Sequence, residues 1–319
     1  MSATPTLKDP EASPAIQTGN RRRGDALFAG TARGAGLVIL AALAGVVVFL
    51  AIEGIPGLNE TSGTYAPHDS FLSYTAPLVF GTVLAAVLAL VIAVPFAFGI
   101  ALFISHYAPR RIAVPVAYVI DLLAAVPSVV YGLWGGRTLG KYIVPAHAWL
   151  ADHLGFIPLF KGPASVTGRT MFTAAIVLAI MVLPIITAIS REVFAQTPRL
   201  HEEAALALGA TRWEAIRLAV FPYARSGMVS AVMLGLGRAL GETMAVAMVL
   251  SASPVATLNI ISNTNSATVA SNIATSFAEA TPAKLHVLIA TGLVLFAVTF
   301  AVNFAARWIV GRNERRMAR

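Results

Sequence analysis

Apolar residues run through this chain in long unbroken blocks, not in the half-apolar stripes of a soluble helix. Six blocks are long enough to cross a bilayer, which takes about 20 apolar residues in a helix. They cover 34–53, 77–105, 112–135, 170–190, 227–250 and 284–309. Backbone groups in lipid must bond within their own segment, so each block is predicted to be a helix. The blocks are too continuous for barrel strands, which alternate over about ten residues. The predicted fold class is an all-α polytopic membrane protein with about six transmembrane helices.

Polar punctuation sets the domain division. Residues 1–32 read as a disordered tail, 33–310 as the transmembrane domain and 311–319 as a basic tail. Composition agrees, with 57% hydrophobic and only 12% charged residues, where soluble domains carry about 25% charged. There is no cysteine, which excludes disulfides, thiol nucleophiles and cysteine metal sites. The net charge of +8 would suit nucleic acid, but its placement does not. With the N-terminus inside, 17 of the 23 Lys and Arg fall in cytoplasmic pieces. That asymmetry predicts cytoplasmic termini and no nucleic-acid partner. The first block has an apolar core of about 19 residues with no small-x-small cleavage site after it, so it reads as a retained helix, not a signal peptide.

Chemistry is sparse within the blocks. Pro95, Pro127 and Pro184 fall in or near them and predict kinks. "LLAAVPSVVYG" (122–132) is a candidate bent helix lining a pathway, and Asp121 at its head needs a partner or water. The fifth block holds "GLGRALGETMAV" (235–246), with Arg238 and Glu242 four residues apart. On an unbroken helix these two share a face. An arginine at mid-membrane costs about 2.5–3.5 kcal/mol by insertion scales, so it needs compensation. One reading is a structural ion pair. The other is a guanidinium facing a water-filled path, where its planar fork of donors suits a tetrahedral oxyanion. Gly235, Gly237 and Gly241 keep one side of that helix thin.

The polar segment 191–226 predicts two short helices. Thr197 is a candidate N-cap with Pro198 at the first helical position. Gly209 supplies a left-handed stop. Thr211 and Glu214 form a capping box, and Pro222 is expected to end the second helix. Glu203, Ala204, Ala205, Gly209 and Pro222 fall on one spacing within "EAALALGATRWEAIRLAVFP" (203–222). That segment resembles the EAA loop of ABC-importer permeases. Ala219 and Phe221 stand where that loop usually has Ile and Leu. The resemblance implies a coupling helix that docks on an ATPase subunit. Small Ala and Gly side chains suit a close approach, and a glutamate suits a charge-assisted bond.

A second resemblance covers about residues 71–310. "MLGLGRALGETMAV" (233–246), "LLAAVPSVVYGLWG" (122–135) and "FAEA…LHV" (277–287) are similar to the PstC-type permeases of phosphate-specific ABC importers. That implies a bacterial cell-membrane permease, not an enzyme, with Arg238 and Glu242 in phosphate passage. Asp121 joins them as a candidate from its own position. The implied partners are a homologous PstA-type permease, two copies of a cytoplasmic PstB-type ATPase and an extracytoplasmic PstS-type phosphate-binding protein. ATP and Mg²⁺ would sit on the ATPase, leaving this chain without a bound cofactor. The alternatives are a sulfate- or molybdate-type permease of the same superfamily and an ion-coupled phosphate secondary transporter. The latter would need no docking loop.

Two motifs are decoys. "GGRTLGKY" (135–142) nearly matches a phosphate-cradling P-loop, but Tyr142 replaces the hydroxyl that would meet Mg²⁺. Six scattered histidines lack metal-ligand spacing, and His147 and His153 read as solvated loop residues.

Overall fold

The computed structural model describes residues 21–317, so the expectations for 1–20 and 318–319 lie outside the described residues. The chain divides into two compact units, Met1–Phe49 and Leu50–Arg319. Helix α1 spans Arg21–Gly54. It begins before the first apolar block, so residues 21–32 of the expected disordered tail are helical. The long helix α2 spans Phe71–Leu102 and runs on through a π turn to Tyr107. Then come α3 (Arg110–Ala125), α4 (Ser128–Trp134) and α5 (Gly140–Leu154). Helix α6 is Met171–Ala195, α7 is Arg199–Ala207, α8 is Arg212–Ala215 and α9 is Phe221–Leu240. After α10 (Met244–Val249), strands β1 (Ala252–Ser253) and β2 (Asn265–Ser266) pair in parallel. Helix α11 (Val269–Ser276) and α12 (Pro282–Met317) complete the chain.

Among the described residues, five helices are long and apolar enough to cross a membrane. The sixth predicted span is a bent pair, with Arg110–Ala125 and Ser128–Leu154 meeting at 92°. The straight crossing expected over 112–135 is therefore corrected to a broken one. Pro127 is the cause. It has no N–H to give the Leu123 carbonyl, and it biases Val126 to extended backbone (φ −66°, ψ 128°). The Leu123 carbonyl accepts instead from Val126 N–H at 3.3 Å and from the Tyr131 hydroxyl at 2.9 Å.

The core of the second unit is α2 against α6 and α9. Ala85, Ala89, Ala93, Ala97 and Ala101 recur every fourth residue on α2, and all are fully buried. A four-residue repeat is one ridge of a helix. With only methyl groups on that ridge the helix backbones pack closely, which is how helices hold together without a hydrophobic effect in lipid. Leu178, Val182 and Ile186 of α6 complete the cluster. Gly227 and Gly235 of α9 face α6, where a Cβ would come 2.5 Å from Val193 and 2.7 Å from Ile186.

The P-loop lookalike has a packing explanation. Residues 135–142 are helical, a π turn leading into α5. A Cβ at Gly135 would fall 2.5 Å from Val177, and one at Gly136 2.8 Å from the Met248 carbonyl. These glycines let α6 and α10 close on this helix. His147 is not solvated as expected. It is fully buried, edge-on to Phe172 at 5.8 Å.

The segments between helices are stitched to each other. Ser165 N–H donates to Ile261 O at 2.8 Å and Phe172 N–H to Ile260 O at 2.8 Å. Thr281 caps α12, its Oγ1 accepting from Lys284 N–H at 3.3 Å, with Pro282 first in the helix.

Candidate functional site

Arg238 sits in the last turn of α9. The helix ends two residues later. Gly241 leaves helical geometry at φ −92°, ψ 1°, and α10 starts at Met244. Glycine weakens a helix by about 1 kcal/mol, and a carboxylate just after it competes for backbone N–H groups. Glu242 does this. It is buried, 9% exposed, and its Oε1 accepts the Ala245 N–H at 3.2 Å. The expected unbroken helix over 227–250, with Arg238 and Glu242 on one face, is thus corrected. The two residues flank a break, and no ion pair joins them. The three glycines do not share a side either: Gly235 packs on Ile186, whereas a Cβ at Gly237 would meet nothing within 4 Å.

Arg238 is exposed on the isolated chain and makes no ion pair among the described residues. It lines a cavity of about 750 Å³ between α6, α9 and α12. Ser226, Ser230 and Gly237 of α9 share the lining with Asn303 and Arg307 of α12. Asp121 does not join this group. It pairs with Arg191 of α6, Oδ2 to Nη2 at 3.8 Å. Reading the sequence singled out Gly237 but missed the rest of the cavity wall. Ser226, Ser230 and Gly237 fall on one face of a helix by their four- and seven-residue spacing, a signal overshadowed by the apolar residues between them.

The loop 191–226 is built as two helices. α7 ends in a Schellman motif: Gly209 takes φ +87°, its N–H donates to Leu206 O at 2.9 Å, and Ala210 N–H donates to Ala205 O at 3.2 Å. The capping box follows. Thr211 Oγ1 accepts from Glu214 N–H at 3.3 Å, and Glu214 Oε2 accepts from Thr211 N–H at 2.7 Å. Two expectations fail here. Thr197 does not cap α7, which starts after Pro198, and its hydroxyl is buried without a partner. Pro222 does not end the second helix. A π turn over Ile216–Val220 shifts the bonding register, so Phe221 N–H reaches Ile216 O and the helix continues into α9. The shift supplies the slack that a proline lacking its N–H requires.

Ile216, Val220 and Ala224 pack on Ala101, Leu102 and Phe194 at the ends of α2 and α6. His106 Nε2 lies 3.5 Å from Glu202 Oε1, tying the end of α2 to α7. The other side is open. Glu203, Ala204 and Gly209 are exposed, and Leu208 and Leu218 are 90% and 67% exposed. Ala204, Ala205, Gly209, Leu208 and Leu218 line a concavity of about 770 Å³.

Residues 93–319, which include the segment 191–226 and Arg238, match a family described as binding-protein-dependent transport system inner membrane component. The chain belongs to this family. As a permease component it is a multi-pass inner-membrane protein and not a catalytic subunit. The permease is 46% identical over 302 residues to the phosphate transport system permease protein PstC 2 of Mycobacterium tuberculosis, covering 91% of this chain and 93% of that one. It is 44% identical over 275 residues to PstC of Xylella fastidiosa, covering 84% and 82%. Against PstC of Mesorhizobium japonicum it is 36% identical over 305 residues, covering 92% and 91%.

Proposed function

We infer that this chain is the permease component of an ABC-type importer of inorganic phosphate. Similarity to phosphate transport permeases over most of the chain supports the substrate. One observation carries the residue-level reading: Arg238 lies exposed and without a carboxylate partner over a cavity, on a helix long and apolar enough to cross a membrane. Facing lipid it would cost several kcal/mol. Facing a water-filled path shared with a second, homologous permease, it compensates a passing oxyanion instead. The break at 241–243 fits the same surroundings, because non-helical backbone at membrane depth must be buried in protein or line water.

In this reading both termini and α7–α8 are cytoplasmic. The exposed face of Glu203, Ala204, Ala205 and Gly209 docks on one copy of a two-copy ATPase, which binds ATP and Mg²⁺. Pro222 shapes the join between that docking element and α9. A phosphate-binding protein delivers substrate on the opposite side. Nucleotide and loaded binding protein then bias one equilibrium between inward- and outward-facing states. Glu242 holds the start of α10 and so positions Arg238 from across the break.

The test is radiolabelled phosphate uptake by the complete importer in proteoliposomes. Arg238→Gln should lower uptake by at least about tenfold, and Arg238→Lys, which keeps charge but loses the fork, should fall between. Excess sulfate should not compete. Full uptake by Arg238→Gln in a matched amount of assembled complex would overturn the assignment.

A further inference from the structure

Arg307 is the second cation of the Arg238 cavity. It would ordinarily be counted among the basic residues that orient a membrane protein. Its surroundings are unlike those of a topology anchor. Arg238 and Arg307 line one cavity of about 750 Å³, and no acidic residue lines it with them. Neither guanidinium makes an ion pair among the described residues. Two uncompensated cations facing one concave space raise the local anion concentration.

We propose that Arg307 is a second phosphate contact, at the cytoplasmic mouth of the path, taking over the anion as it leaves Arg238. The proposal rests on the reading that Arg238 faces the path. Ser226 to Arg238 spans 12 residues of α9, or about 18 Å of helix at 1.5 Å per residue. α12 follows α9 after an outer segment and runs back the other way, so Asn303 and Arg307 come to the Ser226 end of the cavity. Spaced along the cavity in this way, the two guanidinium groups suit two successive stops. A cavity of about 750 Å³ has room for a hydrated anion. Polar groups lie between the stops. The Ser230 hydroxyl donates to Ser226 O at 2.9 Å and Asn303 Nδ2 to Thr299 O at 2.9 Å, which leaves the second Asn303 amide hydrogen available. Conduction needs sites attractive enough to enter and numerous enough to leave. A lone arginine with phosphate bound would hold it; a second one nearer the exit offers it a way out.

The same chemistry would also bind the phosphate of an anionic lipid headgroup, and the experiment separates the two. The complete importer is reconstituted in phosphatidylcholine alone and in phosphatidylcholine with phosphatidylglycerol. Phosphate uptake and binding-protein-stimulated ATP hydrolysis are measured for wild type, Arg307→Gln, Arg307→Lys and Arg238→Gln. Arg307→Gln should lose about tenfold in uptake in both lipids while stimulated hydrolysis persists, and Arg307→Lys should lose less. Because the chain has no cysteine, Ser230→Cys is a clean reporter of the cavity. A negatively charged thiol reagent should modify it about tenfold faster than a positively charged one. Adding Arg307→Gln should lower that ratio severalfold, which loss of a merely structural residue would not do.

Full uptake by Arg307→Gln overturns the proposal. So does lost uptake with an unchanged reagent ratio, which would make Arg307 structural. A defect confined to phosphatidylglycerol vesicles assigns Arg307 to lipid and overturns it too. If Arg238→Gln fails while Arg307→Gln transports fully, only this inference falls. If Arg238→Gln also transports fully, the path reading falls with it.

Discussion

The Tyr131 hydroxyl donates to the Leu123 carbonyl, the acceptor that Pro127 leaves without its helical partner. A side chain four residues beyond the proline thus shares with Val126 N–H the acceptor that the proline cannot serve, and the chain turns by 92° at that point. The carbonyl keeps its bond from Val126 N–H at 3.3 Å when the hydroxyl is removed, so what is lost is one ordinary hydrogen bond, about 0.5–1.5 kcal/mol. Tyr131→Phe should therefore lower the stability of the purified complex by about that amount. Thermal unfolding in detergent checks this. An unchanged transition would mean that water serves the carbonyl equally well.

Glu242 caps α10 through the Ala245 N–H and does not pair with Arg238. A glutamine keeps the acceptor, so Glu242→Gln should leave stability almost unaltered. Glu242→Ala should cost about 0.5–2 kcal/mol, the range of a lost cap. The double change Arg238→Gln with Glu242→Gln should not restore uptake to Arg238→Gln. Restoration would show that a charge pair forms in another state of the transporter.

Gly209 has φ +87°, and a Cβ there would meet nothing within 4 Å. Within this chain a substitution therefore acts through backbone conformation, and comparing valine with asparagine separates that from bulk added to the docking face. Gly209→Val should strain the turn by about 1–2 kcal/mol, and Gly209→Asn by less, because asparagine tolerates the left-handed region. The readout is binding-protein-stimulated ATP hydrolysis. Asparagine should retain more of it than valine, and equal activities would argue that α7 and α8 dock without this turn.

Asp121 pairs with Arg191 outside the Arg238 cavity. The carboxylate side chain is 52% exposed, so the pair contributes less than about 1 kcal/mol. Asp121→Asn should transport within about twofold of wild type, since little depends on an exposed pair. A loss as deep as that of Arg238→Gln would return Asp121 to the path.

What the sequence determined by itself was local. Six apolar blocks predict the membrane helices because each helix in lipid must satisfy its own backbone. Gly209, Thr211 and Glu214 specify their turn because the donors and acceptors lie within a few residues of each other. The EAA spacing was legible for the same reason. Where two local signals compete, the sequence leaves the outcome open, and contacts distant along the chain decide it. Pro222 reads as a stop, yet a π turn whose buried Ile216 and Val220 pack on α2 and α6 carries the helix through. Arg238 and Glu242 read as helical neighbours, yet α9 ends between them because a buried carboxylate finds a backbone N–H nearer than the guanidinium. The meeting of Arg238 with Arg307 has no local signal at all. The two are 69 residues apart, and only the packing of α12 beside α9 puts both charges over the same cavity.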